Sequence, residues 1–255
     1  MDTVHHTPNT KPAVLYKMPI FLLLFLLMHS GVSTQQVYSS NWKTDGVLIG
    51  SGVASLLTAY IIDKSAPPLT IDELKQLSPL VINRFDRAAI NYYSRPLAVW
   101  SDFLVGISVV SPTVLFAEQD IRASAGIFSL MYLETVFLSV LIPQLIKMSV
   151  ERYRPYVYNP AAPISERVKM DARRSFFSGH ATSAFASATF LSIVYGNTNG
   201  SSRGKIYVWT GSLLTASLVS YFRYASGSHF PTDILVGVIT GIAIGYIVPA
   251  LHRTR

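Results

Sequence analysis

The chain has no cysteine, which excludes disulfide frameworks, zinc–thiolate sites and thiol nucleophiles. Charge is also scarce. Only 14% of the 255 residues are Asp, Glu, Lys or Arg, against about 25% in an ordinary soluble domain. No internal repeat, low-complexity tract or glycine-rich phosphate loop is present. These absences exclude disordered and collagen-like chains and nucleic-acid-binding tails, and they weigh against a soluble enzyme. What is there is apolar and basic: half the residues are hydrophobic and the formal net charge is +7. On so apolar a chain, a positive excess points to anionic lipid or phosphate before nucleic acid. The length suits one or two domains.

The apolar residues fall into blocks. Residues 18–33 follow a region containing Lys11 and Lys17 and end in small residues around Gly31 and Ser33. This pattern fits a secretory signal cleaved after Ser33, with an uncleaved anchor as the alternative. Further apolar stretches occupy 46–62, 96–117, 123–146, 177–196, 205–224 and 232–252. Each approaches the ~20 residues that a helix needs to cross the hydrocarbon core. The stretches 206–222 and 234–251 carry no charge at all. Spanning backbone must satisfy its own hydrogen bonds, so helices are expected. The fold class is therefore all-α, a multi-pass transmembrane bundle of about six core helices; six buried helices of a soluble bundle are the weaker alternative. Gly237, Gly241 and Gly245 recur every four residues, a spacing that lets two helices approach closely. Asp102 and Glu134 lie within apolar stretches, where a structural hydrogen bond is expected for each. Residues 70–93 alternate apolar with polar residues; Thr70 and Glu73 fit a capping box and Ser78-Pro79 a second helix start, and an amphipathic surface helix is expected there.

The polar residues gather in three clusters. The first runs from Lys147 to Arg154-Pro155, the second ends at Ser178-Gly179-His180, and the third holds Arg223, His229 and Asp233. Helices laid up and down would bring all three to one membrane face. Three cations there suit a phosphate dianion, through charge-assisted hydrogen bonds to its oxygens. Ser178 and Gly179 precede a helix, where a hydroxyl and free N–H groups also favour an anion. Of six histidines, His5, His6 and His29 fall in or beside the leader and His252 in the tail, which leaves His180 and His229. An aspartate four residues after His229 can orient the imidazole and leave its other nitrogen free to attack. The second histidine can protonate a leaving oxygen. Basic residues at membrane edges also serve as topology signals or headgroup contacts, but three spaced clusters at matching helix ends go beyond that.

These residues resemble the type 2 phosphatidic acid phosphatase superfamily, which includes bacterial class A acid phosphatases and vanadium haloperoxidases. Lys147 to Pro155 fits KxxxxxxRP, Ser178-Gly179-His180 fits the end of PSGH, and Arg223, His229 and Asp233 fit SRxxxxxHxxxD. Phe177 stands where the family usually has Pro, and Phe222 replaces the Ser before Arg223. With the leader or anchor read over 1–33, the resemblance implies a phosphatase-like membrane domain over 34–255, with the motifs in 147–233. It implies a lipid phosphatase that hydrolyses a phosphate monoester or diphosphate without metal or cofactor. His229 would attack phosphorus while Asp233 holds its ring. Lys147, Arg154, Arg223, Ser178 and Gly179 would bind the phosphoryl oxygens, and His180 would protonate the departing alkoxide. The expected partners are a lipid phosphate substrate and membrane lipids, with no nucleic acid and no obligate protein partner. A haloperoxidase using the same cage for vanadate, or an anionic-lipid binding or transport protein, are the alternatives.

The resemblance also implies a bacterial inner-membrane location with the site facing the periplasm. Arg122, Arg203, Lys205, Arg253 and Arg255 on the opposite loops agree with a cytoplasmic side there. An exported residue 34 followed by a true span at 46–62 gives the reverse orientation; the outward-facing site is the reading adopted.

Overall fold

The computed structural model describes residues 37–63, 68–198 and 201–254. The leader read over 1–33 lies outside the described residues. Six long helices form the body: α1 Trp42–Asp63, α2 Arg95–Val110, α3 Ala125–Ser149, α4 Gly179–Thr198, α5 Ser202–Ala225 and α6 Pro231–His252. Each expected apolar stretch is thus helical. Their starts follow local chemistry. Ser94 caps α2 by accepting from the Leu97 N–H with Pro96 in the first turn, and Ser201 caps α5 through the Gly204 N–H. The 96–117 stretch is α-helical only to Val110, then tightens into a 3-10 segment over Ser111–Ala117. Pro112 lacks the N–H that the α ladder would need.

The helices differ in how apolar they are. Among the described residues, Arg95–Ala117, Ala125–Ser149 and Pro231–His252 are long and apolar enough to cross a membrane. Their outer faces bear exposed Trp100, Phe103 and Ile107 on α2 and Ile239, Tyr246 and Ile247 on α6, which suits a hydrocarbon surrounding. Helix α4 is different: Ala, Ser and Thr dominate its first half, and most of its faces are buried. It occupies the centre of the bundle and packs against α2, α3, α5 and α6.

Small residues make that position available. Gly237, Gly241 and Gly245 of α6 all face α4. A methyl group on Gly237 would stand 2.6 Å from the Ser178 carbonyl oxygen, and one on Gly241 2.5 Å from that of Thr182. The four-residue glycine spacing is therefore a packing device. Towards one end, Phe128, Met131 and Tyr132 of α3 meet Phe190 and Val194 of α4 and Ile244 and Val248 of α6. The Tyr132 and Phe190 rings pack 4.9 Å apart.

The 70–93 segment is more broken than the amphipathic surface helix expected, although the second start forms, with Ser78 accepting from the Leu80 N–H. It forms a short helix, Ile71–Gln76, and two 3-10 turns, Pro79–Val81 and Arg87–Asn91. The Thr70–Glu73 capping box forms, but Leu77 and Ser78 are extended. The residue before a proline is pushed out of the helical region, so Pro79 ends the first helix. The segment is also drawn inward. Leu69 is buried with Val157 and Ala172, and Asp86 is completely buried.

Candidate active site

The 152–154 strand-like stretch sets the floor of the site. Arg152 N–H donates to the Arg173 carbonyl, Arg154 N–H to that of Ala172, and Ser175 N–H to that of Arg152. In extended backbone, residues two apart share a face, so Arg152 and Arg154 both point towards the ends of α4 and α6. Lys147 comes from the last turn of α3 and Arg223 from the last turn of α5. His180 lies in the first turn of α4, Asp233 in the first turn of α6, and His229 in the α5–α6 turn. Three sequence clusters have become one place.

His229 is fully buried, and its two ring nitrogens have different partners. Nδ1 lies 2.8 Å from the Ser175 carbonyl oxygen, which can only accept. Nε2 lies 3.2 Å from Arg154 Nη1, which can only donate. The pair of contacts selects the neutral tautomer with the proton on Nδ1 and the lone pair on Nε2. Burial lowers the His229 pKa well below its ordinary value, and the nearby cations Arg154, Lys147 and Arg223 lower it further. Asp233 Oδ2 stands 3.7 Å from Nδ1. The direct hydrogen bond that orients the ring here is thus the one to the Ser175 backbone.

Asp233 is held from several sides. Its Oδ2 accepts from the Ser175 hydroxyl at 2.5 Å and from the Phe230 N–H at 2.9 Å, while Arg152 pairs with Oδ1. The same guanidinium reaches Asp86 Oδ2 at 2.6 Å and packs over the Phe230 ring at 4.3 Å. Asp86 also accepts from the Thr232 N–H and hydroxyl. Burial alone would raise the Asp86 carboxyl, yet the Thr232, Arg152 and Asn83 hydrogen bonds outweigh it and hold the pKa low.

The phosphate-binding candidates line the same space. Arg154 is buried, donating to the Asp171 carboxylate at 2.8 Å, the Asp171 carbonyl at 3.0 Å and the Ser228 carbonyl at 3.0 Å. Arg223 Nη1 donates to Ser101 Oγ at 3.1 Å and to Asp102 Oδ1 at 3.2 Å, while its buried Nε has no partner. Lys147 forms no ion pair with the described residues and lies within electrostatic reach of Arg154, Asp171, Arg223 and Asp233. Ser178 is buried, and its hydroxyl accepts from the Ala181 N–H, capping α4, which begins at Gly179.

His180 sits at the mouth with its side chain 32% exposed, and its Nε2 lies 2.8 Å from Asp102 Oδ1. The structural hydrogen bond expected of Asp102 therefore belongs to the site. Glu134 departs from its expectation: it is completely buried, and neither carboxylate oxygen has a hydrogen-bond partner. His252, assigned to the tail, is buried beside it, 3.4 Å from Glu134 Oε2.

All the residues singled out from sequence (Lys147, Arg154, Ser178, Gly179, His180, Arg223, His229 and Asp233) converge on this end of the bundle. Arg152, Asp86, Asp102, Asp171 and Ser175 were missed. Arg152 had a signal in its two-residue spacing from Arg154. Asp102 had one in its place within an apolar stretch, though there it reads as structural; Asp86 and Asp171 had none, because their partners are distant in the chain.

Comparisons with known proteins identify relatives of the chain. Residues 128–255 match the model of the PAP2 superfamily. A PA-phosphatase related-family protein of Dictyostelium discoideum is 30% identical over 210 residues, covering 75% of each chain. The lipid A 4'-phosphatase of Porphyromonas gingivalis is 38% identical over 73 residues, which span 29% of this chain and 28% of that enzyme. A transmembrane PAP2-type phosphatidylglycerolphosphate phosphatase from Bacillus subtilis superposes with a TM-score of 0.48 at 19% identity, over 79% of this chain and 95% of that one. Since the family model takes in half of the residues and a relative 30% identical extends over three-quarters of them, the chain belongs to the PAP2 superfamily.

Proposed function

We propose that the protein is a lipid phosphatase that transfers a phosphoryl group to His229 and then to water. The observation that carries this reading is the state of His229: a neutral, buried imidazole with its Nε2 lone pair directed at a cluster of cations. Substrate phosphate would take over guanidinium donors of Arg154 and Arg223 and the ammonium of Lys147, with the Ser178 hydroxyl and the α4 N-terminus completing the cradle. Arg154, released from Nε2, leaves the lone pair free. Nε2 attacks phosphorus, the ester P–O bond breaks, and the electron pair leaves with the lipid oxygen. His180, held by Asp102 and protonated once the phosphate dianion has entered beside it, supplies the proton to that oxygen. Neutral His180 then takes a proton from water, which attacks the phosphohistidine, releasing inorganic phosphate and restoring His229.

Asp233 and Arg152 hold the turn that carries His229, and the Ser175 carbonyl fixes its tautomer. The three cations stabilise the charge on the phosphoryl oxygens, so no divalent ion is needed for the chemistry. A lipid substrate is supported by the apolar, outward-facing helices that end at the site and by the activity of the lipid A 4'-phosphatase relative. Monophosphate and diphosphate lipids are both within reach of the cradle. The site is assigned to the periplasmic side of a bacterial inner membrane, with 1–33 as leader or anchor and 34–255 as the phosphatase domain.

The test uses purified full-length protein in detergent with a panel of lipid monophosphates, lipid diphosphates and a soluble ester, with a chelator present. Phosphate release by wild type and its loss in His229→Ala are expected, with an acid-labile phosphoprotein trapped in the wild type alone. Wild-type turnover by His229→Ala would overturn the assignment. Orientation is read from reporter fusions after Asn159 and Ser201; a cytoplasmic Asn159 reporter would reverse it.

A further inference from the structure

A second cluster of ionisable groups lies at the other end of the bundle. His252 closes α6, nineteen residues after Asp233, or about 28 Å along the helix axis. Its Nε2 lies 3.0 Å from Asp45 Oδ1 in the first turn of α1 and 3.4 Å from Glu134 Oε2 in the middle of α3. All three side chains are buried, and one ligand atom from each lies within 4.8 Å of the others.

The hydrogen bonding makes this an unusual meeting. His252 Nδ1 is 2.9 Å from the Val248 carbonyl, so Nδ1 carries a proton, and Nε2, 3.0 Å from Asp45 Oδ1, faces the two carboxylates. With the ring neutral, three acceptors are directed at one point. Glu134, completely buried, accepts no hydrogen bond with either oxygen. Among the described residues, no Lys or Arg forms an ion pair with Asp45 or Glu134. An imidazolium at His252 would pair with Asp45 and still leave both Glu134 oxygens without a hydrogen bond among the described residues.

We propose that Asp45, Glu134 and His252 bind a divalent transition-metal ion of the zinc class. One divalent ion with a neutral imidazole balances the two carboxylates. At Zn–N and Zn–O bonds of about 2.0–2.2 Å, the edges of a tetrahedron are about 3.3–3.6 Å, and the separations of 3.0 and 3.4 Å from Nε2 fall close to that. A metal-bound histidine that donates its other N–H to a backbone carbonyl is the usual supporting arrangement. Magnesium and calcium prefer all-oxygen shells with more donors, which disfavours them here. The ion would clip α1, α3 and the end of α6 together, beside the backbone pairing of Ser39 N–H with the His252 carbonyl. Its role is structural, far from the phosphoryl chemistry, and its readouts do not depend on phosphatase activity.

The experiment uses full-length protein in detergent, stripped with a chelator and reloaded with Zn2+ or Co2+. Wild type is expected to retain one zinc per chain, to unfold at a higher temperature once loaded, and to give the visible absorption of four-coordinate Co2+. Glu134→Gln keeps the shape and removes a buried charge, so it should fold; its zinc affinity should fall about tenfold or more and its thermal shift should vanish. Equal zinc retention and shift in Glu134→Gln, or no zinc retention and no Co2+ spectrum in wild type, would overturn the site.

Discussion

The imidazole of His180 and the carboxylate of Asp102 stand 2.8 Å apart although 78 residues separate them in the chain. The contact joins the first turn of α4 to α2 and gives the half-buried histidine a fixed direction. Replacing the acid by its amide should keep the shape but lose a charge that favours protonation of His180 and pairs with Arg223. Asp102→Asn is expected to lower kcat by about tenfold to a hundredfold, with KM also altered through Arg223. Steady-state kinetics on a lipid phosphate would show it, and an unchanged kcat would remove Asp102 from the account.

Arg152 balances two fully buried carboxylates, Asp86 and Asp233. Arg152→Met would leave both without their cation. A loss of about 3 kcal/mol is expected, seen as a lower unfolding temperature together with reduced activity, because Asp233 anchors the turn that carries His229. Arg152→Lys should recover part of the stability, since lysine keeps the charge but not the two-pronged fork. Thermal unfolding of the two variants side by side tests both statements.

The 69–93 segment should loosen in acid. Hydrogen bonds from Arg173 and Thr70 lower the Glu73 pKa from 4.5 to about 2. A carboxyl whose folded pKa is depressed stabilises the docked state above its unfolded pKa, and that contribution is lost as pH falls through the folded value. Docking should therefore weaken between about pH 4.5 and 2. Pepsin cleavage within 69–93 should accelerate across that window in wild type, and Glu73→Gln should show faster cleavage already at its upper end and a smaller acid step. Matching profiles for the two proteins would refute the assignment.

Glycines on two helices should respond in opposite ways to an added methyl group. Gly241→Ala would press against the Thr182 carbonyl oxygen at 2.5 Å, whereas Gly211 has nothing within 4 Å of such a methyl. The first is expected to cost about 1–3 kcal/mol by separating α4 from α6, and the second to gain up to about 1 kcal/mol from helix propensity. Denaturation of the two variants under one condition would decide the matter.

Much of this was legible in the residues themselves. Hydropathy located the six helices, since chains in lipid have few alternatives for apolar stretches of that length. Cations and histidines at matching helix ends located the candidate site. The glycine spacing on α6 foretold a close helix contact. What escaped was pairing across the chain. Asp86 reads locally as part of a polar face, and only Arg152, 66 residues on, draws it inside. The starts at Thr70 and Ser78-Pro79 were legible, but the amphipathic pattern of 70–93 did not show how short the elements after them are. Glu134 and His252 looked unrelated at 118 residues apart, and a structural hydrogen bond was the natural but incorrect expectation for the acid.

Asp171 gives the resting enzyme a property of an ion exchanger. Its carboxylate is 65% exposed while it grips the buried Arg154. The guanidinium is thus already neutralised by a tethered anion before any substrate arrives. Under the proposed chemistry, a phosphoryl group entering there would compete with this carboxylate for one cation. Its affinity would then follow how much better a dianion suits Arg154, Arg223 and Lys147 together than a single carboxylate suits Arg154.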